Sequence, residues 1–148
     1  GGAGALASGL ELGGLGLVER ALRDEGLSHH YLPGSESVEV DESGLTAAAD
    51  RLRSLGAPFV QGTTWTTDAL YRETPSRLER RRQAGALTVE MECASLLAVA
   101  RFRKVPLLPL LFCGDSLAGG AWDFRDWTSA ESLHDRVFWL AAEAVLAL

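Results

Sequence analysis

Short apolar runs and longer amphipathic stretches alternate along the chain, which predicts an alternation of strands and helices. The short runs, bounded by glycine, proline or charged residues, predict strands within residues 13–22, 38–40, 58–62, 86–89 and 105–112. The last of these runs is continuously apolar, a pattern typical of a strand that is buried on both faces. Between the runs, apolar positions recur at intervals of three and four residues, which indicates helices with one buried face.

Capping residues and glycines set the expected ends of the helices. The predicted helices run from Asp41 or Ser43 to about Leu55 before Gly56, from Pro75 to Arg82 with an end near Gly85, from about Met91 to Arg103, and from a capping box at Thr128–Glu131 to Leu146. This order of elements predicts an α/β fold with a mixed, largely parallel central sheet flanked by helices. The length of 148 residues fits one domain, residues 1–148.

Composition and charge exclude several classes of function. Hydrophobic residues make up 47% of the chain and charged residues 23%, which argues against disorder. The net charge of −6 offers no basic surface, so a nucleic-acid partner is not expected. No apolar run is long enough to span a bilayer and no signal peptide is recognisable, which predicts a cytoplasmic protein. Cys93 and Cys113 lie in apolar surroundings and are expected to be buried thiols.

Two glutamates flank a methionine in Val89–Ala94, immediately before the apolar stretch of the third predicted helix. Glu90 and Glu92 would share one face of an extended segment and would diverge in a helix. Carboxylates beside so apolar an element are costly unless something pairs with them, so the pattern indicates a site for a polar ligand. A second interpretation stays open, in which both carboxylates only interact with the N-terminal dipole of the helix.

Asp115 follows the last predicted strand and is preceded by Gly114. Ligands of open α/β sheets bind at the carboxyl ends of the strands, and glycine lets backbone and ligand approach closely. Partial burial would favour the protonated form of this carboxyl, the form that an acid catalyst needs. The alternative is an aspartate that only caps the loop after the strand.

Three separated segments carry a recognisable pattern: Gly1–Leu6, Gly62–Glu73, and Val89–Ala94 followed by Gly114 and Asp115. Together they resemble the nucleoside phosphorylase and uridine phosphorylase superfamily, in its purine nucleoside phosphorylase-like branch. The resemblance implies an enzyme that splits a purine nucleoside by phosphorolysis into free base and ribose 1-phosphate. It also implies inorganic phosphate as co-substrate, no metal or other cofactor, and a homo-oligomer.

The resemblance also implies roles for individual residues. Asp115 would protonate or hydrogen-bond N7 of the base, assisted by Arg125 or by Arg136. The implied substrate-binding residues are Gly2 near phosphate, Leu70 and Tyr71 beside the base, and Glu90, Met91 and Glu92 at the ribose. Glu92 would accept hydrogen bonds from the vicinal ribose hydroxyls, since both carboxylate oxygens are acceptors. Leu70 stands where the family has an aromatic residue and Gly2 where it has a serine or threonine, so base stacking and phosphate binding are expected to be weaker.

The start of the chain matches a loop that several strands precede in the family. The resemblance therefore implies the C-terminal portion of the family fold, without the N-terminal phosphate-binding loop and its arginines. Two further functions stay open: a nucleosidase of the same fold, in which water replaces phosphate, and a degenerate nucleoside-binding or subunit module.

A rival from another class is a GDSL-type esterase, because Phe112–Leu117 spells its nucleophile motif with Ser116 as the attacking group. The only downstream histidine is His134, and the residue three positions before it is Glu131 where that motif needs an aspartate. The pair His29-His30 does not indicate a metal site, because no cysteine, histidine or aspartate cluster elsewhere completes one.

Overall fold

The structure, a computed structural model, describes residues 1–119, 121–129 and 131–147, except for the side chain of Glu131. Its strands are β1 (Gly2–Ala5), β2 (Leu15–Asp24), β3 (Ser37–Glu39), β4 (Phe59–Thr67), β5 (Ala86–Glu90) and β6 (Leu110–Ser116). Its helices are α1 (Glu42–Ser54), α2 (Pro75–Gln83), α3 (Cys93–Arg103) and α4 (Glu131–Val145). Short 3₁₀ turns occupy Leu27–His30, Leu70–Arg72 and Trp127–Ser129.

The strands form one sheet that closes on itself. They follow the order β3-β2-β4-β5-β1-β6, and β6 returns to pair with β2. Leu15–Leu17 of β2 pair with β6, whereas Arg20–Leu22 pair with β3. The result is a barrel-like ring of β2, β4, β5, β1 and β6, to which β3 adds a short outer strand.

The α/β class and a mixed sheet covered by helices are confirmed, but the sheet is closed and barrel-like and is not largely parallel. Parallel pairs β1–β6, β2–β4 and β4–β5 are matched by antiparallel pairs β1–β5, β2–β3 and β2–β6. An apolar run indicates only that a strand is covered on both faces. A closed mixed sheet surrounded by helices covers its strands as completely as a parallel sheet does, so the run does not distinguish the two. Strand direction and closure depend on pairings between segments far apart in sequence, which the pattern does not contain.

Helix ends follow the predicted local chemistry. Asp41 caps α1 by accepting a hydrogen bond from the Gly44 N–H at 3.3 Å, and Gly56 ends the turn after α1 with a φ of +65°. Pro75 occupies the first turn of α2, and Gly85 follows with a φ of +88°. The predicted capping box at Thr128–Glu131 lies partly outside the described residues.

The strand that carries Asp115 begins later and ends later than predicted. Residues 105–109 have no regular structure, because Pro106 and Pro109 lack the N–H that a strand inside a sheet donates. Regular pairing begins at Leu110 and continues to Ser116, so Asp115 lies within β6 and not in a loop after it.

The opening glycines form a strand where the family resemblance implied a turn. Gly2–Ala5 lie in β1 between β5 and β6. A Cβ added at Gly4 would lie 3.0 Å from Asp115 Oδ1 and 3.2 Å from Val89 Cγ1. The missing side chain at Gly4 therefore lets the neighbouring strands bring their functional side chains close to β1.

Helices cover the outside of the ring on separate sides. Helices α1 and α4 pack over β2 and β6 through a cluster that includes Leu17, Leu52, Phe112 and Val137. Helix α3 packs through Leu97 on another cluster, and α2 places Leu78 against the fully buried Trp65. These layers hold the ends of β1, β5 and β6 in fixed positions, and the candidate site is built at those ends.

Candidate functional site

A cavity of about 320 Å³ opens where β1, β5, β6 and the start of α3 meet. We call it the carboxylate cavity, because four carboxyl groups contribute to its lining, those of Glu73, Glu90, Glu92 and Asp115. The rest of the lining comes from Gly2, Ala3, Gly4, Leu70, Val89, Met91, Gly114, Leu117 and Trp127. The structure thus brings together, at one cavity, six of the residues that the sequence singles out: Gly2, Leu70, Glu90, Met91, Glu92 and Asp115.

A second cavity of about 540 Å³ adjoins the first, and we call it the aromatic cavity. Its lining consists of Leu70, Tyr71, Glu73, Thr74, Asp115, Leu117, Trp122, Phe124 and Trp127. Leu70, Glu73, Asp115, Leu117 and Trp127 line both cavities. The two cavities therefore form one cleft with an acidic end and an aromatic end.

Glu90 is buried and fully engaged with protein groups. One of its carboxylate oxygens accepts from the Thr66 hydroxyl at 2.6 Å, and the other accepts from the N–H groups of Glu92 at 2.8 Å and Cys93 at 2.7 Å. Thr66 in turn accepts from the N–H of Ala94 at 2.9 Å. Glu90 thus satisfies N–H groups at the start of α3, the position where the helix dipole also favours a negative charge.

Glu92 occupies the N-cap position of α3 but makes no capping hydrogen bond with its side chain. The residue is exposed, and Met91 beside it is 43% exposed. The two glutamates, left equivalent by the sequence, are therefore distinguished by the structure. Glu90 stabilises the start of the helix, and the Glu92 carboxylate makes no hydrogen bond with any residue that the structure describes.

Asp115 lies half-buried on β6 at the junction of the two cavities. Its Oδ2 accepts a hydrogen bond from the Trp122 indole N–H at 2.5 Å. Gly114 does not open space for a ligand, because the Trp127 ring packs directly against it. A Cβ at Gly114 would lie 2.9 Å from Trp127 Cγ.

Glu73 is a functional candidate that the sequence interpretation did not single out. Burial and the nearby Asp115 carboxylate raise the pKa of Glu73 to about 7. A raised pKa in a cleft is typical of groups that handle protons. The only signal in the sequence was its position in the segment Gly62–Glu73 that carries the family resemblance.

The aromatic side chains missing at Leu70 are supplied by another part of the chain. Leu70 and Tyr71 lie in the 3₁₀ turn after β4, and Tyr71 is 96% exposed. Trp122, Phe124 and Trp127 reach the aromatic cavity from the segment after β6. The rings of Trp122 and Phe124 pack edge to face, with centroids 5.6 Å apart.

Arg125 makes no hydrogen bond or ion pair with Asp115. Its guanidinium donates to the carbonyl of Leu10 at 2.8 Å and to Asp123 at 3.4 Å, and it does not line either cavity. Arg136, the other candidate, is exposed on α4. Among the described residues that line the cleft there is no arginine, lysine or histidine.

Other groups with potential chemistry do not form a competing site. Ser116 is buried and its Oγ accepts from the Ala118 N–H at 3.2 Å, which does not favour it as an esterase nucleophile. Burial raises the pKa of the Cys113 thiol to about 11 and also raises that of Cys93. Within residues 1–119, 121–129 and 131–147, no cluster of His, Cys, Asp or Glu is arranged to hold a metal ion.

A third cavity, of about 500 Å³, lies between α4 and residues 106–111. Its lining is mostly leucine, proline and alanine, and Glu90 and Glu92 supply the only charged side chains described there. Because few polar groups converge in it, the acidic and aromatic cleft is the better candidate for chemistry. No helix of the described part of the chain is long and apolar enough to cross a membrane.

Comparison with known proteins shows the family of this chain. The family model of the phosphorylase superfamily matches residues 1–145. The chain belongs to this superfamily. Among curated relatives, a purine nucleoside phosphorylase DeoD-type from Thermoanaerobacter sp. (strain X514) is 36% identical over 76 residues, covering 51% of this chain and 33% of the relative. A purine nucleoside phosphorylase from Plasmodium falciparum (isolate 3D7) is 30% identical over 98 residues, covering 65% of this chain and 40% of the relative.

Solved structures share the fold. An AMP nucleosidase from Bacteroides thetaiotaomicron VPI-5482 superposes with a TM-score of 0.77 at 25% identity, over 97% of this chain and 57% of that one. The P. knowlesi homolog of P. falciparum PNP superposes with a TM-score of 0.77 at 22% identity, over 99% of this chain and 60% of that one. The curated relatives are longer than this chain, and the matched segments span 33% and 40% of their lengths.

Proposed function

We propose that this chain carries the nucleoside site of an enzyme that cleaves the N-glycosidic bond of a purine nucleoside by phosphorolysis. The observation that carries the proposal is the single cleft in which a free carboxylate, Glu92, and a half-buried one, Asp115, lie at different positions beside an aromatic cavity. Membership of the phosphorylase superfamily supports the same class of reaction.

Ribose fits the acidic end of the cleft. Glu92 has no hydrogen-bond partner for its side chain among the described residues, and a carboxylate can accept from both vicinal hydroxyls of ribose at once. Met91 beside it offers an apolar surface for the sugar ring. Glu90 acts indirectly, because it holds the start of α3 and with it the position of Glu92.

A purine base fits the aromatic end. Trp122, Phe124 and Trp127 provide flat apolar surfaces of the kind on which a base stacks. Asp115 lies where this end meets the acidic end, so a carboxyl group there is within reach of the base next to the glycosidic bond. In the proposed reaction phosphate attacks the anomeric carbon and the C–N bond breaks. Asp115 assists departure of the base when its carboxyl is protonated, by giving that proton to N7.

Hydrolysis by the same fold is the second candidate, and one observation favours it. The described lining of the cleft contains no cationic side chain, whereas phosphate binding needs several cationic or N–H donors. Gly2 also lacks the hydroxyl that the family resemblance places near phosphate. A neutral water molecule needs none of these groups.

The experiment that tests the proposal follows release of free base from inosine, adenosine and uridine by the 148-residue chain, with and without inorganic phosphate. We expect nucleoside binding, a preference for the purines, and little phosphate-dependent turnover, because the cleft offers phosphate no cation. Robust phosphate-dependent turnover would show that a phosphate site exists among residues not assigned here. Release that does not respond to phosphate would support hydrolysis, and absence of nucleoside binding would contradict both candidates.

A further inference from the structure

Helix α2 carries four arginines that have no role in the proposed reaction: Arg77, Arg80, Arg81 and Arg82. Arg80 is exposed. Arg77 and Arg81, one helical turn apart, both pair with the carboxylate of Asp24 at the end of β2, at 2.8 and 2.9 Å. These ion pairs hold α2 against the sheet, so Arg82 extends from a helix that is itself fixed in position.

The guanidinium of Arg82 joins the ends of two neighbouring strands. Its Nε donates to the carbonyl of Leu6, the residue after β1, at 3.0 Å. One of its terminal nitrogens donates to the carbonyl of Leu117, the residue after β6, at 2.6 Å. The Leu117 N–H in turn donates to the carbonyl of Ala5 at 2.9 Å. Because a planar guanidinium presents its donors in a fixed geometry, Arg82 sets the position of one strand end relative to the other.

The pairing of these two strands is irregular at Asp115. From Ala3 to Ala5 strand β1 advances by two residues, while its partner β6 advances by three, from Cys113 to Ser116. The extra residue makes a β-bulge that includes Asp115, and a bulge re-aims the side chain at that point. A return to regular pairing would shift the register by one residue, and such a shift carries a side chain to the other face of the sheet. The place of the Asp115 carboxyl in the cleft therefore depends on the bulge.

The other groups around the bulge do not tie β6 to a helix. Gly4, which faces the bulge, has no side chain that could hold it. Asp115 accepts from the Trp122 indole, and Ser116 pairs with Asp123. Both partners belong to the segment 121–129, which consists of turns and a short 3₁₀ helix. The contact from α2 thus connects this end of β6 to a packed element.

We propose that Arg82 is a positioning residue that holds β6 in its bulged register and so keeps the Asp115 carboxyl in the cleft. Arg82 binds the carbonyl two residues after Asp115 and, through Leu6, the end of the strand against which the bulge is measured. The catalytic part of this role, help from Asp115 in departure of the base, rests on the proposed function. The placement of the carboxyl does not, and it can be measured without a nucleoside.

The test follows two indole N–H signals in proton–nitrogen correlation NMR spectra of the 148-residue chain. The Trp122 indole donates to Asp115 at 2.5 Å, so its signal reports where that carboxyl lies. The Trp65 indole donates to Asp24 at 2.9 Å, so its signal reports whether α2 keeps its place on the sheet. Replacement of each tryptophan by phenylalanine assigns the signals. Asp115→Ala gives the position of the Trp122 signal when its acceptor is gone.

Arg82→Met removes both donors and keeps an unbranched side chain. It should move the Trp122 signal most of the way to its position in Asp115→Ala and leave the Trp65 signal in place. Arg80→Met is the matched control, because it removes the same charge from an exposed position of the same helix, and it should leave both signals unchanged. Arg82→Lys cannot span both carbonyls with a rigid fork and should give a smaller displacement of the Trp122 signal. It decides the question if Arg82→Met does not fold.

A Trp122 signal that stays in place in the Arg82 variants would overturn the proposal. Displacement of the Trp122 and Trp65 signals together would also overturn it, since Arg82 would then only stabilise α2. The catalytic part has its own readout in release of base from inosine. Arg82→Met should lower the turnover number about 10²-fold with KM little changed, the order expected for a misplacement of about 1 Å.

The same substitution should cause no further loss of turnover when it is combined with Asp115→Asn, because both changes would then act on one group. A further loss of similar size in the double variant would overturn the link between Arg82 and Asp115. Absence of nucleoside binding and of base release in the unmodified chain would overturn the proposed function. The indole signals would still decide whether Arg82 holds the Asp115 carboxyl in the cleft.

Discussion

Removal of the Glu90 carboxylate should destabilise the fold, whereas removal of the Glu92 carboxylate should not. Glu90 is 5% exposed and accepts hydrogen bonds from Thr66 and from the N–H groups of Glu92 and Cys93. Glu92 is exposed and makes no such bond with its side chain. The same chemical change at two positions two residues apart therefore separates a structural carboxylate from one that is free for a ligand.

The magnitude follows from the groups left without partners. Glu90→Ala leaves two N–H groups and one hydroxyl unpaired near the start of α3, at about 1–3 kcal/mol for each buried group. Because the effects are not additive and water relieves part of the loss, we expect the free energy of unfolding to fall by about 3–5 kcal/mol. Glu90→Gln keeps one oxygen for the N–H groups and loses the charge, so the free energy of unfolding is expected to fall by about 1 kcal/mol. Glu92→Ala should change it by less than about 0.5 kcal/mol.

Urea unfolding followed by tryptophan fluorescence measures these differences, since Trp65 is fully buried beside α2 and reports loss of the core. A domain of this kind is stable by about 5–15 kcal/mol, so a loss of about 3–5 kcal/mol in Glu90→Ala should shift the urea midpoint strongly. Two outcomes would refute the assignment of Glu90 as the group that stabilises the start of α3. One is equal urea midpoints for the unmodified chain and Glu90→Ala, and the other is an equal loss of stability in Glu90→Ala and Glu92→Ala.

Three further predictions concern the cleft. Glu92→Gln should weaken binding of a ribonucleoside by about 1.5–3 kcal/mol and much less that of its 2′-deoxy analogue, and equal losses in calorimetry would remove Glu92 from the ribose site. If the enzyme is active, Asp115→Asn should slow release of a purine base roughly 10²–10⁴-fold with ribose binding retained, and an unchanged turnover number would exclude Asp115 from the mechanism. The pKa of Glu73 is raised to about 7 in the folded chain. The unmodified chain should therefore lose stability relative to Glu73→Gln as the pH rises from about 5 to 7. A constant difference between the melting temperatures of the two proteins across that range would contradict the shift.

The parts of the fold that the sequence predicts are those governed by neighbouring residues. Asp41, Gly56, Pro75 and Gly85 act within one helical turn, and the ends of α1 and α2 lie where these residues require. The closure of the sheet and the direction of its strands depend on pairings such as that of β1 with β5, about 85 residues apart. No local pattern carries that information.

The candidate site shows the same division. The segments that resemble the family do meet at one cleft, because each lies at the end of a strand and those strands are neighbours in the sheet. The separate tasks of Glu90 and Glu92 were not predictable from spacing, since the backbone changes from strand to helix between them. The contribution of Trp122 and Phe124 was also missed, because the segment after β6 has no periodic pattern that would show where its rings point.

The charge of the cleft bears on how the glycosidic bond would break. Four carboxyl groups and no described cation line it, so its field favours positive charge and opposes anions. An oxocarbenium-like transition state places positive charge on the sugar, which is proposed to bind at Glu92. A negative field would stabilise such a state relative to the neutral nucleoside. The same field repels phosphate until a cationic group is brought to the acidic end. The acids alone would therefore assist departure of the base, and the choice between water and phosphate would depend on whether a cation joins them.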